Sequence, residues 1–130
     1  MKLRVHGNSL RFRLTQSEVA SLAAGERVEA SVRFAPGPSD VLTYAVQPSS
    51  QSPDIESRCS GQEICVTLPH NVIQVWAASK QVSIESLQPV GNDASLRVLV
   101  EKDFRCLHSG SGEPQTEIDA FPNPAEVGSR

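Results

Sequence analysis

Two groups of residues could do chemistry in this chain. The first is basic: Lys2, Arg4, Arg11 and Arg13 flank a Gly7-Asn8 pair within "KLRVHGNSLRFRL". Four cations gathered on one face would suit an anion, whether a phosphate group, a nucleic-acid backbone or an acidic protein segment. The second is "EKDFRCLH", where Glu101 and Asp103 precede Cys106-x-His108. Thiolate, imidazole and carboxylate are the ligand types of a metal site and the partners of a thiol nucleophile. That segment falls short of a metal signature, because structural zinc sites show two ligand pairs at recurrent spacings, and here a single Cys-x-His stands with His70 elsewhere.

Other chemistry finds less support. The sequence holds no phosphate-binding loop, dinucleotide fingerprint, His-Glu-x-x-His or Gly-x-Ser-x-Gly motif. The carboxylates Glu56, Glu63, Glu85, Glu101 and Asp103 recur at no spacing that assigns an acid and a base. There is thus no positive case for catalysis, and no cofactor is implied. The rival to a non-enzymatic role is a small metal-dependent or thiol enzyme centred on Cys106 and His108.

Local structure sets where these groups point. A two-residue turn at Gly7-Asn8 pairs Val5 with Leu10 and Leu3 with Phe12, so Arg4 faces Arg11 and Lys2 faces Arg13. Like charges opposite one another are unfavourable unless solvated or met by anions. Thr15-x-x-Glu18 is a capping box opening a helix near residues 16–24, with Val19, Leu22 and Ala23 on its apolar face and Gly25 as its stop. Val28, Ala30, Val32 and Phe34 then alternate inward, and Leu42, Tyr44 and Val46 return after "APGPSD".

The same order recurs 54 residues later. "RVHGNSLRFRL" lies over "RCSGQEICVTL", and nine of 54 positions are identical at that offset, where composition alone gives roughly three. The matches include Gly7/Gly61, Leu14/Leu68 and Val46/Val100. Pro69 stands at the second helix start, Ile73, Trp76 and Ala77 form its stripe, and Leu96, Val98 and Val100 its last inward strand. The expectation is an α+β fold of two ββαββ units (1–54 and 55–108) related by a pseudo-two-fold. They would form one antiparallel sheet or partly open barrel with two short helices. In this register Cys59 matches Val5 and points into the core, whereas Cys65 matches Arg11 and points outward. Facing opposite ways, they form no unstrained disulfide.

Composition bounds the rest. A chain of 130 residues with 38% hydrophobic content makes one domain that buries roughly two-thirds of its unfolded surface. Three cysteines, an odd number, suit a reducing compartment. No run approaches the roughly 18 apolar residues of a membrane span. The net charge of −3 and the lack of an aromatic on the basic face disfavour nucleic acid. Residues 109–130 form a Gly/Pro-rich tail, expected to be extended or partly disordered. The excess negative charge sits there, in Glu113, Glu117, Asp119 and Glu126 against Arg130. This acidic tail is the first candidate partner for the basic quartet; Ile118 and Phe121 are its candidate anchors, and Phe104 and Leu107 are candidates to dock its start onto the core.

At "GNSLRFRLTQSEV" and "VLVEKDFRCLH", about a fifth of the chain, the sequence resembles a family of small bacterial proteins of unknown function. The resemblance implies a bacterial, cytoplasmic protein and transfers no functional residue. The leading expectation is a non-enzymatic interaction or structural domain that binds a partner protein or itself as a homodimer.

Overall fold

The computed structural model describes residues 1–104 together with 121 and 122. Ten elements occur in the order expected: β1 (Lys2–His6), β2 (Ser9–Leu14), α1 (Gln16–Ala23), β3 (Val28–Arg33), β4 (Val41–Ser49), β5 (Glu56–Ser60), β6 (Glu63–Pro69), α2 (His70–Ala78), β7 (Ser83–Gly91) and β8 (Ala94–Lys102). The fold is α+β. Among the described residues, no helix is long and apolar enough to cross a membrane.

Turn and cap chemistry place these elements. Gly7 (φ 55°) and Gly61 (φ 59°) each stand first in a two-residue turn, a left-handed position that glycine adopts without steric cost. The β1–β2 register is that of the two-residue turn: Val5 opposite Leu10, Arg4 opposite Arg11, Lys2 opposite Arg13. Thr15 Oγ1 accepts from the Glu18 amide, and the Glu18 carboxylate accepts from the Thr15 amide, completing the capping box. At the far end of α1 the Glu26 amide donates to the Ser21 carbonyl around Gly25. Helix α2 lacks a side-chain cap, since Pro69 stands at its N-cap rather than in its first turn.

The sheets differ from expectation. Among the described residues there is no single antiparallel sheet and no barrel but two four-stranded sheets, β1-β2-β8-β7 and β3-β4-β6-β5. Each has a parallel pair at its centre, β2 with β8 and β4 with β6. Hairpin signals reveal only neighbours joined by a tight turn. The central pairs join strands from opposite halves of the chain, and that choice is made by packing. Parallel strands tolerate solvent poorly, and here each is flanked on both sides by a partner. Strand β4 runs on through Pro48 and Ser49 before the chain crosses to β5.

The register of β2 on β8 (Leu10–Val98, Phe12–Val100) coincides at the 54-residue offset with that of β6 on β4 (Ile64–Tyr44, Val66–Val46). The β1–β2 and β5–β6 hairpins also coincide, with Arg4–Arg11 matching Arg58–Cys65. The two remaining hairpins differ by two residues, Val28 lying opposite Val46 but Ile84 opposite Val100. An even shift keeps every side chain on its face.

One apolar cluster draws on both sheets and both helices: Phe12, Leu14, Val98 and Val100 from one sheet, Val46, Val66 and Leu68 from the other, with Leu22, Ile73 and Trp76. Trp76 is fully buried, and its indole N–H donates to the Val82 carbonyl at 3.1 Å. The cluster fills the helical end of the sheets and thins toward the hairpin tips. There the inward-facing Val5, Val32 and Phe34 are 63%, 43% and 73% exposed.

Both cysteine expectations are reversed in burial. Cys59 is exposed and Cys65 is buried. Cys59 shares the fate of Val5, because the tip of an edge strand lies beyond the core. Cys65 does sit on the outer face, beside Ala45, but that face is covered. The Arg27 guanidinium donates to Glu29, to Gln47 on β4 and to Glu63 on β6, and so spans the Ala45–Cys65 row. Burial raises the Cys65 thiol's pKa, opposed by the nearby Arg27 charge.

Candidate functional site

The outer face of β1 and β2 carries the basic quartet, as the hairpin register requires. Its third strand is β8, whose parallel register sets Glu101 beside Arg13 and Leu99 beside Arg11. The quartet and the acidic half of "EKDFRCLH" are therefore one cluster. Glu101 accepts from Arg13 Nε at 2.9 Å and lies 3.6 Å from Arg11 Nε. Asp103, just beyond the strand, lies 3.2 Å from Lys2 Nζ. Arg4 makes no ion pair among the described residues. One row further toward the hairpin tips, Arg97 pairs with Glu85 across β7 and β8 at 2.5 Å.

The counter-charge expected from the tail thus comes from β8. Glu113, Glu117, Asp119 and Glu126, with Cys106 and His108, lie outside the described residues. Counting Lys2, Arg4, Arg11, Arg13 and Arg97 against Glu85, Glu101 and Asp103, the face keeps an excess of two positive charges. Leu99 is buried within it, flanked in register by Arg11 and Glu85. Long arginine stems readily cover an apolar side chain in this way.

The end of β8 also fastens Phe121 to the core. The Asp103 amide donates to the Leu14 carbonyl, and its carbonyl accepts from the Phe121 amide at 2.7 Å. The Phe104 and Phe121 rings meet edge to face at 5.8 Å; the other two expected anchors, Leu107 and Ile118, lie outside the described residues. Beneath them Lys102 is buried. Its ammonium donates to the carbonyl of Ser79, which ends α2, at 2.7 Å and lies 5.5 Å from the Phe121 ring centre. A cation there satisfies an orphan carbonyl at the negative end of the helix. Desolvation lowers its pKa. Nothing in the spacing of "EKDF" distinguished this inward lysine from an exposed one.

The remaining features are sparser. His6 is exposed, and His70 opens α2 at the surface with Nε2 3.2 Å from Gln74 Nε2. Among the described residues no three His, Cys, Asp or Glu side chains gather as a metal site. A cleft of about 530 Å³ runs beside Ile55, Glu56, Val72, Leu87 and Pro89, with Asp54 and Glu56 as its charged walls among the described residues. A second, of about 370 Å³, lies over both helices between Val19, Ala23, Gln74 and Phe121.

Comparison with curated proteins and with solved structures finds no match. A match does exist at the level of family, and it spans nearly the whole chain, both site segments included. Over residues 1–125 the chain belongs to DUF7009, a family of unknown function.

Proposed function

We propose that the protein is a non-enzymatic interaction domain that binds a partner protein, or a second copy of itself, through its exposed sheet edges. One observation carries this reading: exposed apolar side chains stand on edge strands, Val5 on β1 and Val32, followed by Phe34, on β3. An edge offers unpaired backbone groups, and apolar side chains along it add contact area. The basic face, in contrast, already meets Glu101 and Asp103 of its own chain.

The test combines sedimentation at micromolar concentration with recovery of bound proteins from a bacterial lysate. A dimer, or a partner lost on Val5→Lys or Phe34→Lys, is the expected result. A monomer that recovers nothing defeats the reading.

A second reading is anion binding at Arg4 and Arg11. It is favoured by the absence of an ion pair for Arg4 among the described residues and by the 3.6 Å separation of Arg11 from its carboxylate. Its mark would be salt-dependent binding of a polyanion, weakened by joint Arg4→Ala and Arg11→Ala substitution.

The same proposal takes the chain to be a duplicated ββαββ unit with pseudo-two-fold symmetry. Two sets of strand pairings matching at one offset support it, and the two-residue difference in the remaining hairpins counts against strict symmetry. A bacterial cytoplasmic setting rests on the sequence resemblance and the odd cysteine count.

A further inference from the structure

Four strands lie at sheet edges, and three of them oppose addition of a like strand. On β5, the Gln88 side-chain amide occupies Ser57, accepting from its N–H at 2.8 Å and donating to its carbonyl at 3.1 Å. On β7, Pro89 has no N–H to offer and the register is interrupted beside it. On β1, antiparallel pairing of two copies about the middle of the strand would set Arg4 against Arg4. The remaining edge, β3, reads Val28-Glu29-Ala30-Ser31-Val32-Arg33, with opposite charges placed symmetrically about Ser31. Glu29, Ser31, Val32 and Arg33 are all exposed.

We infer that β3 pairs antiparallel with β3 of a second copy about a two-fold axis at Ser31, joining two four-stranded sheets into one of eight. This rests on the interaction reading above and names its partner. In this register Glu29 of each copy faces Arg33 of the other, with the two Ser31 side chains between them. On the opposite face Val32 meets Ala30 and Phe34 meets Val28, so the exposed apolar residues of β3 gain partners. A slip of one residue mixes the two faces. A slip of two loses both charge pairs, and in one direction it sets Arg33 against Arg27. The present contacts are compatible with pairing. Glu29 is engaged by Arg27 through Oε1, and Arg33 donates to the Ala35 and Gly37 carbonyls through Nη1. An isologous contact of this kind closes on itself as a dimer instead of extending into a fibre.

Six-residue strands make a small interface, so the dimer is reversible and concentration-dependent. Sedimentation velocity over a micromolar to near-millimolar series tests it, with circular dichroism confirming that each variant is folded. Wild type is expected to dimerise, Glu29→Arg to weaken the dimer about tenfold or more, and Glu29→Arg combined with Arg33→Glu to restore it. In a background lacking Cys59 and Cys106, Ser31→Cys is expected to give a disulfide-linked dimer on mild oxidation. Opposed residues of antiparallel strands lie within disulfide reach. A monomer at every concentration overturns the inference. So does a dimer that ignores the charge reversals, which would leave the interaction reading standing on another edge.

Discussion

Arg13 and Glu101, 88 positions apart in sequence, sit side by side on neighbouring parallel strands and are joined at 2.9 Å. The contact answers the problem raised by the hairpin alone. Two like-charged cross-strand pairs are held on one face because a third strand brings the counter-charge. Replacing Glu101 by Gln keeps the shape and removes that charge. The expected loss is about 1 kcal/mol in dilute buffer, becoming smaller in high salt as the remaining cations are screened. Denaturant unfolding at two ionic strengths measures it, and a loss that grows with salt would contradict the account.

Lys102 carries a signature in pH. Its folded-state pKa is lowered by desolvation, so between that value and the unfolded one of 10.5 the unfolded chain binds more protons. Burying the charge is a cost that is fully present at neutral pH and is relieved as pH rises through this window. Cys65 acts oppositely, because its raised pKa gives a stabilisation that is lost as pH rises above the unfolded thiol's value. Comparing wild type with Lys102→Met separates the two. The wild type is expected to gain stability relative to the variant as pH rises toward 10.5, and a flat difference would sink the assignment.

The cysteines offer a chemical readout of coverage. In a Cys106→Ser background, a thiol reagent is expected to label Cys59 rapidly and Cys65 only on unfolding. Arg27→Ala should open the Ala45–Cys65 row, making Cys65 reactive in the folded protein. If Cys65 stays protected in that variant, Arg27 is not its cover.

Gln88 stands in for a strand. Its amide meets both backbone groups of Ser57 on the β5 edge and joins the two sheets there. Gln88→Ala is expected to cost about 1–2 kcal/mol, since two partly buried backbone groups lose partners. It should also make the protein more prone to associate through β5. Thermal unfolding together with light scattering reads both effects.

Much of this was legible in the residues themselves. Gly7-Asn8 dictated the register that puts Arg4 against Arg11, and Thr15 with Glu18 announced the start of α1. Local rules of this kind rest on groups a few positions apart. They could not place Glu101 beside Arg13, because that neighbour is chosen by how two hairpins dock, and the antiparallel expectation failed for the same reason. Cys59 and Cys65 mark another limit. The pleat correctly assigned their faces, but burial depends on what lies above each face. Arg27, distant in sequence, covers one, while among the described residues nothing covers the strand tip that carries the other.

The division of strands between the sheets bears on how the chain comes together. The sheet of β3 to β6 is built from one continuous run, Val28 to Pro69, and its strands are available before β7 and β8 have been synthesised. The other sheet is assembled from the first and last strands, and β2 must wait for β8 to close a loop of some ninety residues. Such long-range pairing is slow, and until it forms β2 has an unpaired edge. Emergence of β8 from the ribosome is therefore the event that completes the core, and a chain cut short before Ala94 would be left with half of its architecture open to aggregation.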